Sequence, residues 1–138
     1  MAAKDKFHEA VKIALVKDGW IITHDPLKVK YGEIKMQIDV GAEQLLAAAK
    51  GTEKIAIEIK SFLSLSFIND FYNALGQFLS YKIALERQEP ERVLYLAVPQ
   101  ETFNEFFTLD FTKAAIKRYD LKIIVYEPAK EEIVQWIS

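Results

Sequence analysis

No cysteine occurs anywhere in the chain, which excludes a disulfide framework and any thiolate-held metal and suits a reducing cytoplasm. Glycine and proline are also sparse, five and four residues in 138. No Gly/Ser linker, internal repeat or low-complexity tract interrupts the sequence, so one domain over residues 1–138 is expected. No apolar run approaches the roughly 20 residues that span a bilayer. Met1 to Phe7 lacks the apolar core of a signal peptide, so a cytoplasmic protein with no membrane contact is expected. An excess of positive charge is missing as well: 18 Lys and Arg against 20 Asp and Glu leave a net charge of −2. That balance disfavours binding nucleic acid through bulk charge and leaves local patches, of which Lys28, Lys30 and Lys35 form one.

What is present is an ordinary globular composition, 51% hydrophobic and 28% charged. Lys4 to Lys17 reads as a helix with Phe7, Val11, Ala14 and Leu15 on one stripe, stopped by Gly19. Trp20 to Thr23 is a short β-type run, and Asp25-Pro26 marks a turn. Glu33 to Val40 alternates as a strand ended by Gly41, with Ile34, Met36 and Ile38 on one side and Glu33, Lys35, Gln37 and Asp39 on the other. Residues Ala42 to Lys50 suit a short helix or an ordered loop. Lys54 to Lys60 alternates again, Ile55, Ile57 and Ile59 opposite Ala56, Glu58 and Lys60. The longest helix is expected from Ser66 to Arg87, with a core row of Phe71, Leu75, Phe78 and Lys82, ended by Pro90. Val93 to Val98 and Leu121 to Tyr126 are buried strands. Between them Thr102 to Tyr119 is helical with a break near Leu109-Asp110, and Glu131 to Ile137 is an edge strand or a short helix. The order predicts an α/β fold, a mixed sheet flanked by helices.

The chemistry concentrates in Asp39 and Glu58-Ile59-Lys60. Residues two apart on a strand share a face, so Glu58 and Lys60 project together, and a hairpin pairing brings Asp39 beside them. Two carboxylates and the backbone carbonyl of Ile59 make a hard oxygen site suited to Mg²⁺ or Mn²⁺. An ion there lowers the pKa of a water and neutralises charge on a phosphoryl oxygen, while Lys60 orients the water or stabilises a pentacovalent phosphate. The acid-x-Lys pattern alone is unspecific: Glu33-Ile34-Lys35 and Asp120-Leu121-Lys122 also fit it. Only Glu58-Ile59-Lys60 follows a strand that ends in an acid and itself ends a strand. On the long helix Asp70, Ala74, Gln77 and Tyr81 form a stripe beside the apolar row, placed to overhang the polar face of the Glu58-Lys60 strand. Gln77 is then within reach of a water or phosphate and Tyr81 of either.

Asp39, Glu58-Ile59-Lys60 and Gln77-Phe78-Leu79-Ser80-Tyr81 resemble the Asp, Glu-x-Lys and Gln-x-x-x-Tyr motifs of the PD-(D/E)XK nuclease superfamily, with Ile38 where the superfamily's name has proline. A closer resemblance spans nearly the whole chain. Phe7-His8, Lys17-Asp18-Gly19-Trp20, Asp25-Pro26-Leu27, Ile38-Asp39-Val40-Gly41-Ala42-Glu43, Glu58-Ile59-Lys60-Ser61-Phe62, Asp70-Phe71-Tyr72, Ala74-Leu75-Gly76-Gln77 and Leu94-Tyr95-Leu96-Ala97-Val98-Pro99 look like the XisH family, cyanobacterial factors that control excision of the fdxN DNA element. The resemblance implies a restriction-endonuclease-like fold and a role in developmental DNA rearrangement. It also implies DNA as a partner, a companion factor of the XisI type and a separate recombinase that cuts and rejoins. Nucleases of this fold often act as symmetric homodimers, and nothing in the sequence identifies an interface.

Other residues carry two readings each. Glu9 is either a first-helix acid near the metal or a surface or capping residue. Glu43 either supports the site or begins a helix, where an acid favours the dipole. His8 and His24 read as structural, although imidazole titrates near neutrality. The spacing of Phe103, Phe106, Phe107 and Phe111 suits core packing better than base stacking, with part of the group open to a partner surface. Two classes of function therefore compete: a metal-dependent endonuclease-like domain, and a non-catalytic regulatory module working with a companion chain. A nuclease toxin silenced by its neighbour is a variant of the first.

Overall fold

The computed structural model of the chain describes residues 5–45 and 51–138. Helix α1 (His8–Lys17) is followed by β1 (Ile21–His24), β2 (Leu27–Tyr31), β3 (Ile34–Ile38), β4 (Val40–Leu45) and β5 (Thr52–Ile59). The long α2 (Phe67–Gln88) leads to β6 (Val93–Pro99). Next come the short α3 (Gln100–Thr102), a π-helical turn over Phe103–Phe107 and α4 (Asp110–Tyr119), before β7 (Ile123–Glu127) and β8 (Glu132–Ile137). Six strands form one sheet in the order β1-β4-β5-β6-β7-β8, and β2 and β3 form a separate hairpin. The β5–β6 and β6–β7 pairs are parallel and the remaining pairs antiparallel. This is a mixed α/β architecture with helices on both faces of the sheet, consistent with a restriction-endonuclease-like fold.

Topology decides which face each helix covers. Both parallel crossovers step across the sheet in the same direction, so right-handed connections put α2 and α4 on one side. There Phe71, Ala74, Phe78 and Ala115 pack with Ala56, Leu96, Ile123 and Val125. The opposite side carries α1, whose Val11 and Leu15 meet Ile55, Ile57, Ile59 and Ile124. The alternation of β5 is therefore resolved as its sequence suggests: isoleucines toward α1, and Ala56, Glu58 and Lys60 toward α2. The β2–β3 hairpin leans on the same side, its Leu27, Val29 and Ile38 joining the α2 core. The Gln88 side chain clasps its edge, accepting from the Lys30 N–H at 3.0 Å and donating to the Lys28 carbonyl at 3.3 Å. The Arg87 guanidinium adds a cation–π contact 4.6 Å over the Tyr31 ring.

Helix ends follow local chemistry. Ser66 caps α2 by accepting from the Asn69 N–H at 3.3 Å. Gly19 terminates α1 at φ +90°, where Trp20 N–H reaches back to the Leu15 carbonyl at 3.0 Å. The helical run after β6 breaks at Leu109, which is extended. Of its phenylalanines, Phe106 and Phe107 are buried, while Phe111 is 56% exposed.

Three expectations change. The run Glu33 to Val40 is not one strand stopped by Gly41: the chain bends at Asp39, and β4 continues through Gly41 to Leu45. Residues 42–45 are thus strand rather than helix or loop, because pairing with β5 along the whole run, and with β1 at Ala42 and Glu43, outweighs their helix propensity; residues 46–50 lie outside the described residues. The buried row of α2 is Phe71, Ala74, Phe78, Tyr81 and Leu85, rotated from the expected Phe71, Leu75, Phe78 and Lys82. Ala74 lets the helix approach Ala56 of the sheet, and the Tyr81 ring has an apolar body to bury.

Phe71 is wholly buried and its ring meets Phe106, Phe107 and Phe111. Replacing it by alanine is expected to lower stability by about 3–5 kcal/mol. Phe111→Ala, at the exposed rim, is expected to cost below about 1 kcal/mol. Urea unfolding of the two variants checks the difference.

Candidate functional site

The site forms where the β4–β5 ladder runs out. Val40 pairs with Ile57, so Asp39, one residue before β4, arrives opposite Glu58 and Ile59. The Asp39 side chain then takes the place of a strand: its Oδ2 accepts from the Ile59 N–H at 2.8 Å. In return the Asp39 N–H donates to Glu58 Oε1 at 3.3 Å. The Ile59 carbonyl leaves the strand on the same edge as its N–H, toward Asp39. On the other side β5 is held by β6 through the Lys60 N–H bond to the Ala97 carbonyl at 3.0 Å. Immediately beyond, Asp5 Oδ2 accepts from the Ser61 N–H at 2.9 Å, and Phe62 turns the chain with φ +54°. Asp5 is a brace that sequence patterning gave no reason to single out.

Glu58 points under α2 and is only 4% exposed. Burial first, and the neighbouring Asp39 carboxylate second, push its pKa up to about 8, against a smaller opposing pull from Lys60. The Lys60 ammonium stands 3.9 Å from Glu58 Oε2, half-buried beside the acid. From above, Tyr81 comes down with its ring buried. Burial, then Glu58 and Asp39, raise the pKa of its hydroxyl, which keeps its proton. One turn earlier, the Gln77 side-chain oxygen is buried without a hydrogen-bond partner among the described residues. A buried acceptor on this helix face is open to a hydrogen bond from water or substrate. The donor set, carboxylate and carbonyl oxygens with no sulfur, fits a hard divalent cation.

The structure therefore brings Asp39, Glu58, Ile59, Lys60 and Tyr81 together, with Gln77 on the overhanging helix face. It leaves out the other acids. Glu9 is exposed on α1 and pairs with Lys12 at 3.4 Å. Glu43 lies on β4 opposite Lys54, about 13 Å along the strand from Asp39, and begins no helix. His24 is an exposed strand residue bonded to Thr23. His8 is buried, with Nε2 at 2.7 Å from Asp25 Oδ1, and ties α1 to the β1–β2 turn. His8, Glu9 and Asp25 could together hold an ion, but the Lys12 ammonium already sits 2.7 Å from Asp25 and 3.4 Å from Glu9. The two competing acid-x-Lys triplets stand apart: Glu33 and Lys35 at the hairpin tip, and Asp120 paired with Lys122 at 3.8 Å beyond α4.

Comparison with known proteins gives the family. The family model for the XisH protein matches residues 1–134. The chain belongs to the XisH family. Two crystal structures are similar to this XisH chain over nearly its full length. One is an XisH family protein from Nostoc punctiforme, 50% identical, with a TM-score of 0.89, covering 97% of this chain and 100% of its own. The other is a fdxN element excision controlling factor protein from Anabaena variabilis, 49% identical, with a TM-score of 0.87, covering 96% and 98%. A search of curated proteins found no match. Among the described residues of this XisH chain, no helix is long and apolar enough to cross a membrane.

The buried acid makes the stability of this XisH protein depend on pH. Glu58 ordinarily titrates near 4.5 and here near 8. Between those values the unfolded chain has released the proton and the folded one retains it, so stability falls as pH rises and the loss is complete above about 8. Glu58→Gln is expected to remove that slope. In buffer containing a chelator, the variant should exceed the parent by the order of a few kcal/mol above pH 8, with the gap closing toward pH 4.5. Urea unfolding of both proteins across this range checks it.

Proposed function

We propose that the chain is a controlling factor for programmed excision of a DNA element, and that it acts as a metal-dependent endonuclease-like domain of the PD-(D/E)XK type on DNA phosphodiesters. The observation that carries the reading is the convergence of Asp39, Glu58 and Lys60 beneath Tyr81, one acid of the pair buried, with the buried Gln77 acceptor one turn earlier on the same helix. A buried acid with a raised pKa in such a setting, as Glu58 is, favours a functional role over a structural one. The fdxN excision role of the Anabaena variabilis relative supplies the biological setting.

Asp39, Glu58 and the Ile59 carbonyl are the groups that would hold Mg²⁺ or Mn²⁺, and such an ion supplies charge neutralisation and a more acidic water. The remaining work falls to the chain itself. Lys60 is placed to orient the attacking water or to stabilise charge on the pentacovalent phosphate. The Gln77 oxygen accepts a hydrogen bond from water, and the protonated Tyr81 hydroxyl donates to a phosphate oxygen. α2 closes the pocket from above and lowers the local dielectric, which strengthens each of these contacts.

A second reading draws on the net charge of −2: a regulatory module that keeps the fold, pairs with a companion chain of the XisI type, and leaves cutting and rejoining to a separate recombinase. Supercoiled plasmid, Mg²⁺ or Mn²⁺ and purified protein separate the two. The enzymatic reading expects nicking that Lys60→Ala reduces by about a hundredfold or more and that Asp39→Asn abolishes. Absence of nicking on any DNA, together with tight binding to the companion chain, favours the module.

A further inference from the structure

The β2–β3 hairpin carries a basic face that the site does not use. In its register Lys30 stands opposite Lys35, and Lys28 opposite Gln37. Alternation sends Leu27, Val29, Met36 and Ile38 toward α2 and these four polar side chains to the other side, where all are exposed. Like charges directly opposed across two strands repel, and among the described residues none of the three lysines makes an ion pair. Among the described residues the hairpin thus holds three exposed ammonium groups without an ion-pair partner, with one acid, Glu33, at its tip. It is also fixed in place, clasped by Gln88 and Arg87, and its last strand runs directly into Asp39.

We infer that this face binds the phosphate backbone of DNA and aligns the duplex with the Asp39–Glu58–Lys60 pocket; the alignment rests on the proposed function above, the binding does not. Same-face neighbours on a strand lie about 7 Å apart and opposed ones about 5 Å. Each strand of a duplex advances one phosphate per about 3.4 Å, so a patch of this size meets two or three phosphates. Contacts of this kind carry no sequence information and set register and orientation. A chain with net negative charge needs such a concentrated patch, because its surface as a whole does not attract DNA.

The test is fluorescence anisotropy of a labelled duplex of random sequence, in EDTA so that no cleavage occurs, across about 50–200 mM salt. The triple variant Lys28→Gln, Lys30→Gln, Lys35→Gln is compared with a control of equal charge change, Lys113→Gln, Lys117→Gln, Lys130→Gln, at exposed positions of α4 and the β7–β8 turn. The hairpin variant is expected to lose at least about tenfold in affinity and to reduce the slope of log K against log salt by about 2–3, with the control close to the parent. Thermal melts show that each variant folds, and relief of the Lys30–Lys35 repulsion predicts an unchanged or higher Tm for the hairpin variant. An unchanged slope in that variant, or no duplex binding by the parent at low salt, overturns the inference. Because the readout requires no metal and no cleavage, a protein that binds through the hairpin but never nicks refutes the nuclease reading alone.

Discussion

A carboxylate standing in for a strand is the constraint on which the rest of the site depends. At the end of β5 the Ile59 N–H needs an acceptor, and β4 has already bent away at Asp39. The Asp39 Oδ2 supplies it at 2.8 Å, satisfying a backbone donor that would otherwise be stranded in the sheet. That single bond fixes the orientation of one acid against the strand bearing the other. Glu58 answers by accepting from the Asp39 N–H, so each acid is locked by a backbone N–H of the facing segment, Asp39 by that of Ile59 and Glu58 by that of Asp39. A site built on strand ends in this way is held more rigidly than one on loops.

The arrangement is unfavourable for the isolated protein. Glu58 is buried beside a second carboxylate, with an ammonium 3.9 Å away that only partly compensates. A sheet designed for stability alone would place a neutral side chain there. The Gln77 oxygen without a partner points the same way. The burial of the acid costs stability, and positive charge brought beside it would relieve that cost.

Much of this was legible in the sequence, because period-2 alternation is a strong signal in an amphipathic strand. The β5 pattern alone assigned Glu58 and Lys60 to the face opposite the isoleucines, and the neighbouring helix to the same side. What escaped was governed by tertiary pairing. Residues 42–45 have the composition of a helix, yet all four pair with β5 and the first two also with β1, and those ladders decide their state. The rotation of α2 was missed because Tyr81 and Ala74 look like the polar flank of a Leu75 row. An aromatic ring that buries its body and leaves its hydroxyl at an acid pair belongs to both categories at once. The brace from Asp5 to Ser61 joins residues far apart in sequence, and no local pattern encodes it.

The electrostatics of the whole chain and of its parts pull in opposite directions. The net negative charge was an argument against a nucleic-acid enzyme, and it remains the best support for a purely regulatory module. Yet a module that only docks to a partner gains nothing from burying an ionisable acid beneath a helix, nor from an exposed lysine face on a hairpin clasped by that same helix. Under the proposed function a phosphodiester substrate would account for both, its charge meeting the hairpin lysines and a bound cation pairing the two acids. The bend at Asp39 ends the hairpin and begins β4, so one turn of the chain both creates the acid pair and sets where the hairpin sits beside α2.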